Sequence, residues 1–237
     1  MALAVGEGSR QPERICQLCV ELVDVAGAGI SMVTQTGNRG AVCATDDVAS
    51  MIEQLQFSLG EGPCVDAVNA GRPVLIPDLG EPHAIDVSRW PAFMSAAADA
   101  GIRAVFAFPL AVGAVRVGAL DLYRTEAGEL SAEQLAGALL AADAAAIALL
   151  SLDVDAADTF SGNSADGADY HLDVHRATGM VQEQLGVPTA DALLRLRAKA
   201  FADDRPISDV AADVIARRLR LMWRNHDRRT RPRCYWH

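Results

Sequence analysis

The stretch 153–169, DVDAADTFSGNSADGAD, constrains this chain more than any other, because it carries only Val154 and Phe160 as large apolar residues among Asp, Ala, Ser and Gly. A segment of that composition cannot bury enough apolar surface to offset the entropy lost on ordering it. It reads as a linker, so the 237 residues divide into two bodies that must each build a core of their own. An apolar share of 51% supplies the material for both.

Behind the linker, three helical stripes follow one another. Val174, Ala177, Val181 and Leu185 recur at three or four residues, and Gly186 ends the run because glycine accepts a left-handed cap at little cost. After Pro188 and Thr189, the residues Ala192, Leu193, Leu196, Ala200 and Phe201 form a second inward face, with Arg195, Arg197 and Lys199 on its flanks. The polar break Asp203, Asp204, Arg205 precedes Pro206 and a third stripe at Ile207, Val210, Ala211, Val214, Ile215 and Leu219. Three helices in about fifty residues, with no disulfide or metal-ligand set, form a marginal body that gains from a neighbour or a second copy.

The run Arg176-Ala177-Thr178-Gly179-Met180, the later Ala192, Leu196, Arg197 and Ala200, and the ISDVA segment from Ile207 to Ala211 together resemble the ANTAR domain, an RNA-binding antitermination module. The resemblance implies an all-α three-helix bundle over 170–224, acting as a homodimer that grips RNA hairpins in a nascent transcript. Carried over by position, it implies that Arg176, Ala177, Thr178, Gly179 and Arg197 lie at the RNA surface. General chemistry agrees: small residues admit a nucleic-acid backbone or a splayed base, and arginines contact phosphates. Gly179 as a helix–helix packing contact, with the arginines merely solvated, is the competing reading.

Charge divides the same way. From Tyr170 onward 13 Lys plus Arg stand against 8 Asp plus Glu, a net of +5, whereas the front carries 8 against 23, a net of −15. That asymmetry suits an acidic regulatory body joined to an anion-binding end, although two ordinary domains would also show it. After Leu221, and through the basic tail at 225–237, arginines are interleaved with the aromatics Trp223, Tyr235 and Trp236, which suits single-stranded RNA or a solvated basic tail. A second function class also remains open: a helix-turn-helix-like DNA-binding regulator, for which Arg217, Arg220 and Arg224 on the third helix would be the reading residues.

The front predicts an α+β body. A helix over 13–25 faces inward through Ile15, Leu18, Cys19, Leu22 and Val23. Strands over 29–35 and 40–45 form a hairpin across Thr36-Gly37-Asn38-Arg39. A helix over 47–56, a short strand over 74–76, a helix over 90–100, strands over 104–110 and 115–123, and a long helix from Ser131 complete a mostly antiparallel sheet with flanking helices. In that last helix Leu135, Leu139, Ala142, Ala146 and Leu149 alternate steps of four and three, a seam for a partner helix or for the chain's own sheet, and the expected dimer contact. Its length and apolarity also meet the minimum for a membrane span, but alanine is only weakly hydrophobic, so no membrane role is expected.

LQFSLGEGPC from Leu55 to Cys64, then Gly71-Arg72-Pro73-Val74, Asp78-Leu79, Trp90-Pro91, Phe108-Pro109-Leu110 and Gly118-Ala119-Leu120, resemble a GAF domain of the kind found before ANTAR domains in actinobacterial regulators. The resemblance covers 13–152 and implies a PAS-like sensory fold with a pocket for a small molecule. Asp78, Arg89 and Trp90, polar or aromatic residues on expected loops, are the candidate ligand-binding set. Gly60-Glu61-Gly62-Pro63 either donates backbone N–H groups to a ligand or only turns the chain into a helix at Cys64. Cys64 lacks the adjacent histidine of bilin-binding relatives and His83 stands alone, so no bilin, haem or other cofactor is expected.

Five cysteines do not suggest a disulfide framework, and Cys16-Gln17-Leu18-Cys19, despite its redox or zinc-like spacing, sits in an apolar helix where packing suffices. No phosphate loop, GxSxG elbow or metal-spaced histidine cluster appears, so a regulator is expected rather than an enzyme. The first residues lack the pattern of a signal peptide, which suggests the cytoplasm.

Overall fold

The computed structural model describes residues 11–33, 39–81, 89–151 and 165–222. The chain forms two compact units, Met1–Asp169 and Tyr170–His237. Residues 36–38 of the turn expected at 36–39, most of the expected linker and the basic tail lie outside the described residues, and Arg39 begins a strand.

In the front unit the order is α1 (Gln11–Val23), β1 (Gly27–Val33), β2 (Arg39–Ala44), α2 (Asp47–Leu59), α3 (Pro63–Ala70), β3 (Val74–Ile76), α4 (Pro91–Asp99), β4 (Ala104–Val112), β5 (Val115–Arg124) and α5 (Ala132–Ser151). The five strands make one antiparallel sheet in the order β2-β1-β5-β4-β3. Alternation along the strands sends side chains to opposite faces. Phe106, Phe108 and Leu110 of β4, with Leu120 and Leu122 of β5, meet α1 and α5 through Cys16, Cys19, Val23, Ala142 and Leu149. The intervening Val105 and Tyr123 meet α2 and α4 through Ile52 and Phe93, while Ala107 and Ala119 are small enough to seat α3 through Cys64, Ala67 and Val68.

Local chemistry sets the helix ends. Asp46 caps α2 by accepting from the Ala49 backbone N–H at 2.8 Å, and Gly60 closes that helix with φ 70°. The helix therefore runs three residues beyond the expected Gln56. Glu61 caps the next-but-one helix, its Oε1 accepting from Ala92 N at 3.1 Å and Phe93 N at 3.3 Å.

Two expected faces rotate. On α1 the buried positions are Pro12, Cys16, Cys19 and Val23, so Leu18 and Leu22 are 51% and 74% exposed instead of core-facing. On α5 Ala142, Ala146 and Leu149 of the seam are buried, but Leu139 is 43% exposed, and Ala138, Ala145 and Ala148 complete the buried stripe. Small residues let α5 lie close against β4 and α1, so the seam serves the unit's own core. The 20-residue α5 is long and apolar enough to cross a membrane by length and composition, and its buried side is made mostly of alanines.

The rear unit contains α6 (Ala165–Leu185), α7 (Thr189–Ala202) and α8 (Ile207–Ile215). The first of these begins five residues ahead of the expected boundary at Tyr170. Val174, Ala177, Val181, Leu185, Ala192, Leu193, Leu196, Ala200, Ile207, Val210, Ala211 and Val214 are buried, as the three stripes predict. Phe201 departs from its stripe and is 77% exposed. Helix α8 stops at Ile215, and Arg217 follows in a left-handed conformation at φ 58°.

Candidate functional site

A lone carboxylate interrupts the apolar run of β5. Asp121, 3% exposed, points from the sheet toward α2, where Glu53 and Gln56 occupy one face of the helix three residues apart and are 3% and 1% exposed. Gln56 Nε2 donates to Asp121 Oδ2 at 2.8 Å, while its Oε1 accepts from the Cys64 backbone N–H at 2.8 Å at the opening of α3. One side chain thus ties sheet, α2 and α3 together. Burial, and then the facing Asp121 carboxylate, push the Glu53 carboxyl well above the ordinary 4.5. The pair therefore holds a proton that an exposed glutamate would lose.

Glycines make the room for these polar groups. A Cβ on Gly29 of β1 would lie 2.7 Å from Glu53 Oε1, and one on Gly62 would lie 2.5 Å from Gln56 Oε1. Gly62 also has φ 135°, open to glycine alone at little cost. Glycine here turns the chain into α3 and clears the amide of Gln56.

The space around Glu53 is small. Ser31, Gly40, Ala41, Glu53, Phe57 and Cys64 line a cavity of ≈ 10 Å³, room for one water-sized molecule and far below the several hundred Å³ of an open ligand site. Any larger guest between sheet and helices must displace Phe57 or the polar pair.

The sequence-predicted ligand set is only partly gathered. Arg89 and Trp90 share Asp66: the guanidinium sits 2.6 Å from its Oδ2 and 4.9 Å from the indole centroid, and the Trp90 Nε1–H donates to the same oxygen at 3.1 Å. Trp90 is 2% exposed and packs edge-on against Phe93, so it belongs to the core. Asp78 is engaged elsewhere, by the Arg103 guanidinium at 2.8 Å and the Gly80 N–H at 2.8 Å, which hold its carboxyl below the ordinary range. Sequence reasoning missed Glu53, Gln56 and Asp121. The available signal was Asp121 itself, a carboxylate at an inward position of VGALDLY.

In the rear unit the five positions carried by resemblance separate. Arg176 and Gly179 are exposed on one face of α6, three residues apart. Ala177 and Thr178 are 0% and 1% exposed, and the Thr178 hydroxyl donates to Val174 O at 2.7 Å. These two face inward, which corrects their expected place at the surface: a four-residue run cannot occupy one side of a 3.6-residue turn. Arg197 is half-buried on α7. Around Gly179 no atom lies within 4 Å of where a Cβ would stand, so among the described residues it makes no close helix–helix packing contact.

The DNA-reading set also changes. Because α8 ends at Ile215, Arg217 and Arg220 lie beyond it, Arg224 falls outside the described residues, and α8 presents Asp209 and Asp213. Asp213 is bridged by Arg205 and Arg218, each at 2.8 Å.

The front fold has a family. A sequence model of the GAF domain matches residues 13–150, and the chain belongs to that family of small-molecule-sensing modules in signalling proteins. No curated protein matches the chain. Among solved structures it is similar to the GAF domain/HD domain protein from Geobacter sulfurreducens, at 14% identity and TM-score 0.46 over 64% of this chain and 97% of that one. It is also similar to the GAF domain of an Acinetobacter phosphoenolpyruvate-protein phosphotransferase, at 8% identity and TM-score 0.47 over 61% and 83%. A third is the GAF domain of a two-component sensor histidine kinase from Bacillus halodurans, at 10% identity and TM-score 0.43 over 60% and 96%.

Proposed function

We propose that this chain is a cytoplasmic, non-enzymatic regulator in which the GAF unit senses a signal and the rear three-helix unit, an ANTAR domain by resemblance, binds RNA hairpins as a homodimer and thereby antagonises transcription termination. The observation that carries the reading is Gly179. A glycine inside a helix costs about 1 kcal/mol relative to alanine, and among the described residues no packing contact offsets that cost. Its use is an approach from outside, next to the exposed Arg176.

Charge supports a division of labour. Residues 170–222 carry 8 Lys plus Arg against 7 Asp plus Glu, whereas 223–237 carry 5 against 1. The helices supply shape and a few contacts, and the basic tail supplies general attraction to phosphate. The acidic α8 disfavours the DNA-binding alternative, since a helix entering a major groove is not lined with aspartates.

The test is binding of the purified full chain to a tandem-hairpin transcript and to duplex DNA of equal length, across several salt concentrations. The hairpins are expected to bind more tightly. Arg176→Ala is expected to weaken them about tenfold and to reduce the salt slope by about 1. Gly179→Ala is expected to raise the stability of the rear unit by about 1 kcal/mol while lowering RNA affinity, a separation that a merely structural glycine would not give. Equal binding of hairpin and duplex, or unchanged affinity in Gly179→Ala, sinks the reading.

For the homodimer, the surface is the apolar one left on the two packed front helices: Leu18 and Leu22 on α1, with Leu140, Ile147 and Leu150 at 70%, 62% and 53% exposure on α5. Light scattering should find a dimer for the wild type and a monomer for Leu140→Asp combined with Ile147→Asp, with far-UV circular dichroism unchanged.

A further inference from the structure

The CxxC spacing on α1 directs attention to Cys16 with Cys19, but the fold gives Cys16 a different neighbour. Its Sγ lies 3.0 Å from Sγ of Cys43 on β2, a residue 27 positions away in sequence. That separation is inside the van der Waals contact of two sulfurs and about 1 Å from a bond. Cys16 is 1% exposed, and Cys43 is the more open of the two, on the edge strand of the sheet. Both belong to the cluster that packs α1 on the sheet, and all four described cysteines are free thiols. No group of three or more His, Cys, Asp or Glu among the described residues is arranged to hold a metal ion, so Cys16, Cys19 and Cys43 do not form a zinc site.

We infer that Cys16 and Cys43 are a redox pair: a hydroperoxide oxidises the more open Cys43 to a sulfenic acid, and the buried Cys16 sulfur displaces its hydroxyl to close a disulfide between α1 and β2. In the first step Cys43 sulfur attacks the distal peroxide oxygen, the O–O bond breaks, and the second oxygen takes the Cys43 thiol proton and leaves as alcohol or water. In the second step the S–S bond forms as the S–OH bond breaks, and the Cys16 proton leaves with the hydroxyl as water. Two electrons pass from the two thiols to one peroxide. The contact with Cys43 and burial both hold the Cys16 thiol in its protonated form, while burial pushes Cys19 up to about 11. Cys16 is thus slow to react alone and acts as the resolving partner, its attack favoured by being already in place.

The bond would join the helix that carries Leu18 and Leu22 to an edge strand, so oxidation state would reach the proposed dimer face. It would give the sensing unit an input that does not pass through the small cavity at Glu53. The pair itself needs no RNA and no second copy, and its test reads the bond directly, separately from the RNA reading.

The reduced full chain is treated with a small excess of hydrogen peroxide, alkylated, digested without reductant and mapped by mass spectrometry. The expected product is a Cys16–Cys43 cross-linked peptide, lost on adding dithiothreitol and formed equally in Cys19→Ser and Cys64→Ser. Cys16→Ser is expected to accumulate a dimedone-reactive sulfenic acid at Cys43 at least tenfold above the wild type, and Cys43→Ser to give no cross-link from Cys16. A Cys16–Cys19 bond, no intramolecular bond, or the same dimedone labelling in wild type and Cys16→Ser overturns the assignment.

Discussion

Gly118→Ala is expected to unfold the front unit or to cost it about 3 kcal/mol or more. On β5, Gly118 pairs with Met32 of β1 and Leu110 of β4, so it sits between two strands with no freedom to move away. A Cβ there would overlap the backbone carbonyl oxygen of Ser31, and Leu149 of α5 closes the space beyond at 3.2 Å. The obstruction is main chain, which cannot rotate aside as a side chain would. Gly137 on α5 is the control, because its Cβ would meet nothing nearer than Val23 Cγ2 at 3.9 Å. Gly137→Ala is expected to stabilise by up to about 1 kcal/mol through helix propensity. Urea denaturation followed by circular dichroism separates the two, and a Gly118→Ala midpoint equal to the wild type would mean that β1 and β5 are not in this register.

Glu53→Gln is expected to stabilise the front unit increasingly as pH rises. A carboxyl whose folded pKa is raised binds more protons folded than unfolded, so its contribution is complete below the unfolded value near 4.5 and is lost as pH climbs toward the raised folded value. Across that window the loss is at most about 1.4 kcal/mol per pH unit for one proton. Glutamine keeps the shape of the protonated acid and has no proton to lose. Wild type and variant should therefore agree most closely near pH 4 and diverge toward pH 8 in denaturation midpoints. Asp121→Ala acts oppositely, because it leaves the Gln56 amide without its acceptor at 2.8 Å, at a cost of about 1–3 kcal/mol. Parallel pH profiles for wild type and Glu53→Gln would remove the shared proton from the site.

Much of the scaffold was legible because its periods are local. The strands over 104–110 and 115–123 were legible from their apolar runs around Gly113, and steps of three and four located the buried sides of α6, α7 and α8. The faces of α1 and α5 were read less well. Leu18, Leu22 and Leu139 are as apolar as core residues, and a pattern cannot say which leucines a helix turns toward its own sheet. The site was the least legible part. Asp78, Arg89 and Trp90 were chosen for polarity on loops, yet each is tied to a neighbour by Arg103 or Asp66.

By its own composition the chain determined that there are two units, which segments coil or extend, and where Gly60, Gly62 and Gly186 must turn it, since these follow from interactions between residues a few places apart. Tertiary structure alone decided the partners. Gln56 meets Asp121 across 65 residues and Cys16 meets Cys43 across 27, because strand register and helix rotation, not sequence proximity, bring such side chains together.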